Sequence, residues 1–569
     1  MTRVLSLIAA GCLLCGGASA ARLGSALIDA AQADDSTAVK ALLARGTDVN
    51  AREEDGSTAL TWAVMRSNTG IAQALLNSGA DPNLTNELGI GALSLAIANG
   101  STPMVKLLLE KGADPNVARE NGETPLMTAA RMSQVEVMNL LLARGANVNA
   151  REKKFHQTAL MWAAGVPSAV RLLLDHGADI HATTAVWNVK YTIYAPTTVT
   201  LGKTGIPWNT DGDYTTRRGG QNALFFAVQK HDLDSARMLV NAGIDVNQAA
   251  ADGTTPLLAA LYKWDPPQRS FVPGKGAPAQ AGSSQIFGPD LAMAGFLLDR
   301  GASVKVADGA GYTPLHGVAL AVAYAARSSS GQRGGGVYGK PAALLSLGRG
   351  VDVPPGMLDQ ALTIAGRLLA AGADPNRETL YPTPGPAGDV RINPAPPGSS
   401  PFHIAANSDS LELVKMLAAH GANPNQLRKD GHTPFSVAVL AGDLAVVKEM
   451  VLRGANLKML YNPDDKIPDP VEAITLSRRN QSIMHLAALS GSAPVVEYLF
   501  SLGVPLDLKN SKGETPLELA DSQERYREAA QRQGADGDPE RLKTIVRHTE
   551  MTDAIRKLLA RPTSQTAAR

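Results

Sequence analysis

The chain has 569 residues, with 54 basic and 53 acidic side chains, 44% apolar and only 4% aromatic residues. A net charge of +1 argues against a nucleic-acid protein held by bulk positive charge, and no apolar run reaches the roughly 18 residues of a membrane-spanning helix. Few rings beside 54 glycines and 35 prolines point to many turns and a core of Ala, Leu and Val.

In chain order, the first feature is Met1–Ala20: Arg3, an apolar stretch from Val4 to Leu14, then Gly16-Gly17-Ala18-Ser19-Ala20. Small residues at Ala18 and Ala20 fit a signal peptide cleaved before Ala21. The expectation is an exported protein, probable location being the periplasm of a Gram-negative bacterium, with lipid attachment at Cys12 as the less favoured alternative. Both cysteines, Cys12 and Cys15, lie inside this segment. Cleavage would leave no thiol, and with it no disulfide, Cys nucleophile or Cys-ligated metal.

Beyond residue 26 one phrase recurs. It reads Ser57-Thr58-Ala59-Leu60, Glu123-Thr124-Pro125-Leu126, Gln157-Thr158-Ala159-Leu160 and Thr254-Thr255-Pro256-Leu257. It returns as Tyr312-Thr313-Pro314-Leu315-His316, Ser400-Pro401-Phe402-His403, His432-Thr433-Pro434-Phe435 and Glu514-Thr515-Pro516-Leu517, with weaker copies at Leu27, Leu93, Leu224 and Met484. Most of these twelve anchors are spaced by about 33 residues. Thr or Ser suits a helix N-cap, and Pro suits the first helical position, where no amide hydrogen is needed. A second helix follows with apolar residues at helical spacing, as in Val105, Leu108 and Leu109. It stops at a glycine suited to a left-handed residue, such as Gly79 or Gly112. Asp81-Pro82-Asn83, Asp114-Pro115-Asn116 and Asp374-Pro375-Asn376 then form turns leading to the next cap.

This pattern resembles the ankyrin repeat, with its T-P-L-H…G-A-D-x-N skeleton. The wording of the copies is also similar to that of exported bacterial proteins with many such repeats. The resemblance implies an all-α ankyrin-repeat solenoid of about twelve helix–turn–helix units, with β-turn fingers along one edge and several loop insertions. Units one to five occupy 21–182, six to eight 220–378, and nine to twelve 400–561, followed by a disordered tail at 562–569. Stacking supplies the core, because no single unit can bury its own apolar face. The histidines His316, His403 and His485 stand where the family's histidine hydrogen-bonds backbone across a finger.

Interruptions of the period mark insertions. In 183–219, Trp187, Val189, Tyr191 and Ile193 alternate with polar neighbours, and Thr197–Leu201 is also β-prone, so an elongated β-hairpin is expected. Its rings, Trp187, Tyr191, Tyr194, Trp208 and Tyr214, are candidate binding residues; the alternative is that they fold back to cap the solenoid's apolar edge. The stretches 265–289, 327–355, 379–399, 458–478 and 521–548 are read as Pro/Gly-rich, basic or polar loops. At matching fingertip positions, Arg52-Glu53, Arg119-Glu120 and Arg151-Glu152 suggest a row of alternating charge that could pattern a protein-binding strip.

Catalytic chemistry finds no support. Gly334–Lys340 imitates a phosphate loop, but Pro341 stands where the Ser or Thr should be and no strand precedes it. No histidine pair has helical metal-ligand spacing, and no G-x-S-x-G elbow occurs. No catalytic residue, metal or cofactor is expected. Trp62 and Trp162, at equivalent first-helix positions, are read as core. The sequence therefore points to an exported, non-enzymatic scaffold that binds protein partners through fingers and inner helices, expected to be a monomer or an accessory subunit. Alternatives are a non-catalytic subunit of an exported enzyme, a redox enzyme among the candidates, and a secreted host-directed effector.

Overall fold

The computed structural model describes residues 24–193, 212–261, 289–329, 353–380, 398–428, 431–461, 480–522 and 539–560. The proposed signal segment with Cys12, the glycine loop at 334–340 and the tail at 562–569 lie outside the described residues. The described residues form twelve successive helix pairs. First helices are short and start at a side-chain cap: Thr58, Thr124, Thr158, Ser400 and Thr433 each accept a hydrogen bond from the amide three residues on. Second helices such as Thr102–Glu110 run nine residues. There the chain reverses at Gly112 (φ 90°), whose amide donates to Leu109 O while that of Ala113 donates to Leu108 O. This paired closure needs a left-handed residue, which glycine adopts without a Cβ penalty.

The chain divides into two compact units, Met1–Trp187 with Gly219–Ala251, and Asn188–Arg218 with Asp252–Arg569. In the first, the pairs are 24–32 with Ser36–Ala44, Ala59–Met65 with Thr69–Asn77, Ala92–Ala98 with Thr102–Glu110, Pro125–Arg131 with Val135–Ala143, Ala159–Ala163 with Pro167–Asp175, and Ala223–Gln229 with Leu233–Asn241. Consecutive first helices pack on one another, as do consecutive second helices. The anchors Leu27, Leu60, Leu93, Leu126, Leu160 and Leu224 are at most 4% exposed. They sit with Ile71, Leu75, Val105, Leu108, Val137, Leu141, Val170 and Leu173 in one continuous apolar layer.

Polar bonds then set the register between repeats. Asn50 Nδ2 donates to Gly79 O at 3.2 Å, and its Oδ1 accepts the Asp81 amide at 2.8 Å. Asn83 does the same with Gly112 and Asp114, Asn116 with Gly145 and Asn147, and Asn149 with Gly177 and Asp179. Each asparagine thus satisfies a helix-end carbonyl and a turn amide of the next repeat. The fingers are also joined through backbone: the amides of Glu87, Glu120 and Lys153 donate to Asp55, Leu88 and Asn121.

The second unit holds Pro256–Leu261 with Leu291–Asp299, Pro314–Ser329 with Met357–Ala370, Pro401–Ala406 with Leu411–Ala419, Pro434–Ala441 with Leu444–Leu452, Ile483–Ser490 with Ala493–Ser501, and 516–522 with Pro539–Leu559. Leu257, Leu315, Phe402, Phe435 and Met484 are fully buried. Leu517 is only half-buried, and Leu519 and Ala520 take the core positions there. Two helices enter stretches expected to be insertions. Pro314–Ser329 extends past residue 327, since its alanine-rich middle from Val318 to Ala326 has no glycine to stop it. Pro539–Leu559 begins within 521–548 and buries Met551, Ile555 and Leu558 at helical spacing, packing on Ala493–Ser501. The asparagine pattern continues from Asn376 to Gly421 and Asn423, and from Asn425 to Gly454 and Asn456.

His316, His403 and His485 each bond across to the next finger, at Ser399 O, His432 O and Glu514 O, while Nδ1 accepts the amide of the cap residue. His316 is fully buried. Burial pushes its imidazolium down to about 4, the charge of Arg377 adding to the effect and bonds to backbone opposing it. The ends of the Pro-rich segment are pinned together by Thr379 and Ser399, and Leu460–Tyr461 pairs antiparallel with Gln481–Ser482 to lengthen another finger.

Two outcomes follow from these bonds. Asn83→Ala removes one donor and one acceptor that no neighbour replaces, and should lower stability by about 1–3 kcal/mol in urea denaturation; a change under about 0.3 kcal/mol would contradict the stitching role. For His316, the unfolded chain takes up a proton near its ordinary pKa of 6.5 that the folded chain refuses until about 4. Its contribution is therefore complete above that ordinary value, is lost as pH falls through the window, and amounts to roughly 3 kcal/mol in full. Urea midpoints compared across this pH range should slope less in His316→Gln than in the parent chain, and parallel slopes would reject the assignment.

Candidate protein-binding face

From the second repeat to the sixth, the first helices of the first unit repeat a position four residues after the cap, occupied in order by Trp62, Leu95, Thr128, Trp162 and Phe226. Thr128 is buried, whereas Trp62, Leu95, Trp162 and Phe226 are half-buried. The expectation that Trp62 and Trp162 are core residues is corrected here. Around Trp62, the residues Leu60, Thr61, Ala63 and Val64 fill the interior, leaving this position on the open side of the helix. Indole N–H groups anchor the rings: Trp62 Nε1 donates to Glu53 Oε2 and Trp162 Nε1 to Gln157 Oε1, both at 2.8 Å. A large ring held by its polar end is a low-entropy contact surface.

Beside Glu53, a second and buried carboxylate brings charge to this row. Glu123 is 6% exposed and accepts from Thr128 Oγ1 at 2.9 Å and Arg131 at 3.0 Å, with Arg119 at 3.5 Å. Burial alone would raise its pKa, but the Thr128 and Arg131 hydrogen bonds and the two guanidinium charges hold it below the usual carboxylate range. Arg131 also lies over the Trp162 ring, 5.4 Å from its centroid. In the second unit the equivalent positions, Ala259, Gly317, Ile404, Val437, Leu486 and Leu519, are all buried. Among the described first helices, the large half-exposed row belongs to the first unit.

The fingertip residues singled out by sequence have mixed placements. Arg52 bonds Gly56 O and Thr85 O of the next finger, and Glu53 holds Trp62. Arg119 is half-buried on Glu123, and Arg151 lies 3.6 Å from Asp179. Glu152, 6% exposed, accepts the amides of Lys154, Phe155 and Gln157 inside its own turn. Glu120 stands exposed. Local turn bonding thus draws most of the proposed charge row into the scaffold.

In the hairpin, β1 (Val186–Ile193) pairs with β2 (Gly212–Gly219); Thr197–Leu201, Tyr194 and Trp208 lie outside the described residues. Tyr191 is on β1 and Tyr214 on β2. Trp187 is 38% exposed and tilts against Phe155 with centroids 5.2 Å apart, so one of its faces is spent on the scaffold. Inner-face residues Leu95, Phe226, Arg131 and Lys230 escaped the sequence reading. For Leu95 and Phe226 the signal was a bulky apolar side chain recurring at one position between small or buried ones.

Among the described residues no group of three or more His, Cys, Asp or Glu side chains could hold a metal ion, and no helix is long and apolar enough to cross a membrane. Stacked helix pairs with joined fingers and an open inner-helix row define a helical-repeat recognition scaffold. Family profiles described as ankyrin repeats match residues 27–119, 93–184 and 361–460, and a further profile of many ankyrin repeats matches 469–520. The chain belongs to the ankyrin repeat family, whose members are typically non-catalytic protein–protein interaction scaffolds. No curated protein matches the chain.

Gly219 controls the hairpin base. It has φ 91°, and a Cβ there would stand 1.8 Å from Ala185 O and 2.8 Å from the Trp187 ring. Gly219→Ala should therefore cost more than about 1 kcal/mol locally and displace Trp187 from Phe155. Limited proteolysis should then cleave within 183–219 faster while far-UV circular dichroism stays constant, and unchanged cleavage would show that the base tolerates the side chain.

Proposed function

We propose that this protein is an exported scaffold that recognises a partner protein along the inner-helix row of its first unit, acting by binding and not by catalysis. The observation that carries the proposal is the half-exposed line of Trp62, Leu95, Trp162 and Phe226 on successive repeats, with both indoles fixed by hydrogen bonds. Because neighbouring repeats hold these side chains before contact, little rotamer freedom is lost on association. Glu120, Arg151 and the hairpin rings are assigned to secondary contacts. Export rests on the charged, apolar and small-residue succession of Met1–Ala20, with the periplasm of a Gram-negative bacterium as the location and Cys12 lipidation as the weaker route. A non-catalytic subunit of an exported enzyme would use the same face, with permanent occupancy as its difference.

Photo-crosslinking in the producing cells tests this. A crosslinker at position 95 should capture a partner in the envelope fraction, whereas one at position 77, on a second helix, should not. Trp62→Ala or Trp162→Ala should each weaken capture by about tenfold or more. Equal capture from both positions would refute the inner face. Stoichiometric retention through salt washes would identify an accessory subunit, and deletion of Thr183–Arg218 measures the hairpin's share.

A further inference from the structure

Around Trp162 three successive repeats converge. Arg131 from the fourth repeat lies over the ring, and Lys230 from the sixth donates from Nζ to Trp162 O at 2.9 Å. The Lys230 stem crosses Gly165, where a Cβ would stand 2.6 Å from Lys230 Cδ, so the missing side chain at 165 makes room for the lysine. One acceptor leaves two ammonium hydrogens on Lys230 for a ligand. The nearby carboxylate of Asp232 is committed to capping Leu233–Asn241, accepting from the amides of Asp234 and Ser235 and from Ser235 Oγ. Glu123 is buried and already shared by two arginines.

The same bias extends along the face. Exposed Arg66 follows the second repeat's first helix, as Lys230 follows the sixth's, and Arg131 closes the fourth's. On the first helices of this unit the acid is Asp29 of the first repeat, with Asp34 in the loop after it. From the second repeat to the sixth, the exposed cations Arg66, Arg131 and Lys230 thus form a rim beside the apolar row, while the acids next to it, Glu53, Glu123 and Asp232, are bonded within the scaffold.

Resting on the inner-face reading above, we propose that Arg131, Trp162 and Lys230 form an anchor for an acidic polypeptide segment in which an Asp or Glu adjoins a bulky apolar residue. The apolar side chain lies on the exposed part of Trp162 between Leu95 and Phe226, and the carboxylate accepts from the Lys230 ammonium with the Arg131 charge beside it. A carboxylate there meets a cation whose neighbouring acid, Asp232, is already bonded in a helix cap, and such charge-assisted bonds are stronger than neutral ones. The rim selects the partner's sign and orientation, while the rings provide contact area.

A displayed library of random dodecapeptides, panned against the whole chain, tests the anchor without the natural partner. Enriched peptides should pair Asp or Glu with Leu, Phe or Trp, and the best synthetic peptide should bind about tenfold more weakly after Lys230→Gln. Lys230→Arg should restore binding, Glu110→Gln on an outer second helix should not alter it, and affinity should fall as salt rises. Thermal melting by circular dichroism establishes that each variant is folded. Peptides that are neutral or basic yet lose binding in Trp162→Ala would overturn the anchor and leave the inner face standing. Failure to enrich peptides, or enrichment of peptides indifferent to both Trp62→Ala and Trp162→Ala, would overturn both.

Discussion

The structure depends on apolar contact between neighbouring repeats. A helix pair such as Ala92–Ala98 with Thr102–Glu110 has apolar surface on more sides than its own two helices can cover. Leu93, Ile97, Val105 and Leu108 are 4% exposed or less because repeats on either side close over them. Stability is then distributed among nearest-neighbour interfaces. A local fault weakens the adjoining repeats first, which makes long insertions tolerable wherever they leave the stacked helices in place.

Apolar contact alone would allow neighbouring helix pairs to slide. Directional bonds prevent this on the turn side, where each ladder asparagine accepts from and donates to the following repeat. The T-P-L-H histidines do related work in the second unit, tying a cap to the next finger through the two nitrogens of one ring. Such groups must stay paired because an unpaired polar atom in these tight turns would carry its full desolvation cost. His316 meets that condition in its neutral form.

Function follows from what the stack leaves uncovered. A first helix of about seven residues buries most of its surface, and the position four after the cap remains on the open side. Large apolar residues there make a contact row in the first unit, while small or buried ones remove it from the second. The finger charges are largely consumed by the turns that shape the fingers. Glu53 serves the binding row by holding Trp62, and Glu152 closes its own loop. Identical Arg-Glu pairs in three fingers therefore have three different fates.

The amino-acid order by itself determined the repeat length, the caps, the helix stops and the ankyrin family, since those depend on local backbone preferences and recur too often to be ambiguous. It also marked the aromatic hairpin, because alternation along a strand is a local pattern. Which strand paired with Val186–Ile193, how far Pro314–Ser329 and Pro539–Leu559 extended, and why Leu517 yielded its core place to Leu519 were decided by packing between segments far apart in the chain. The same holds for Trp62 and Trp162: their equivalent places in two first helices suggested a core, and only the side of the helix that neighbouring repeats leave open made them half-buried. Convergence of Arg131, Trp162 and Lys230 was equally tertiary, since stacking brings together residues that three repeats keep separate in sequence.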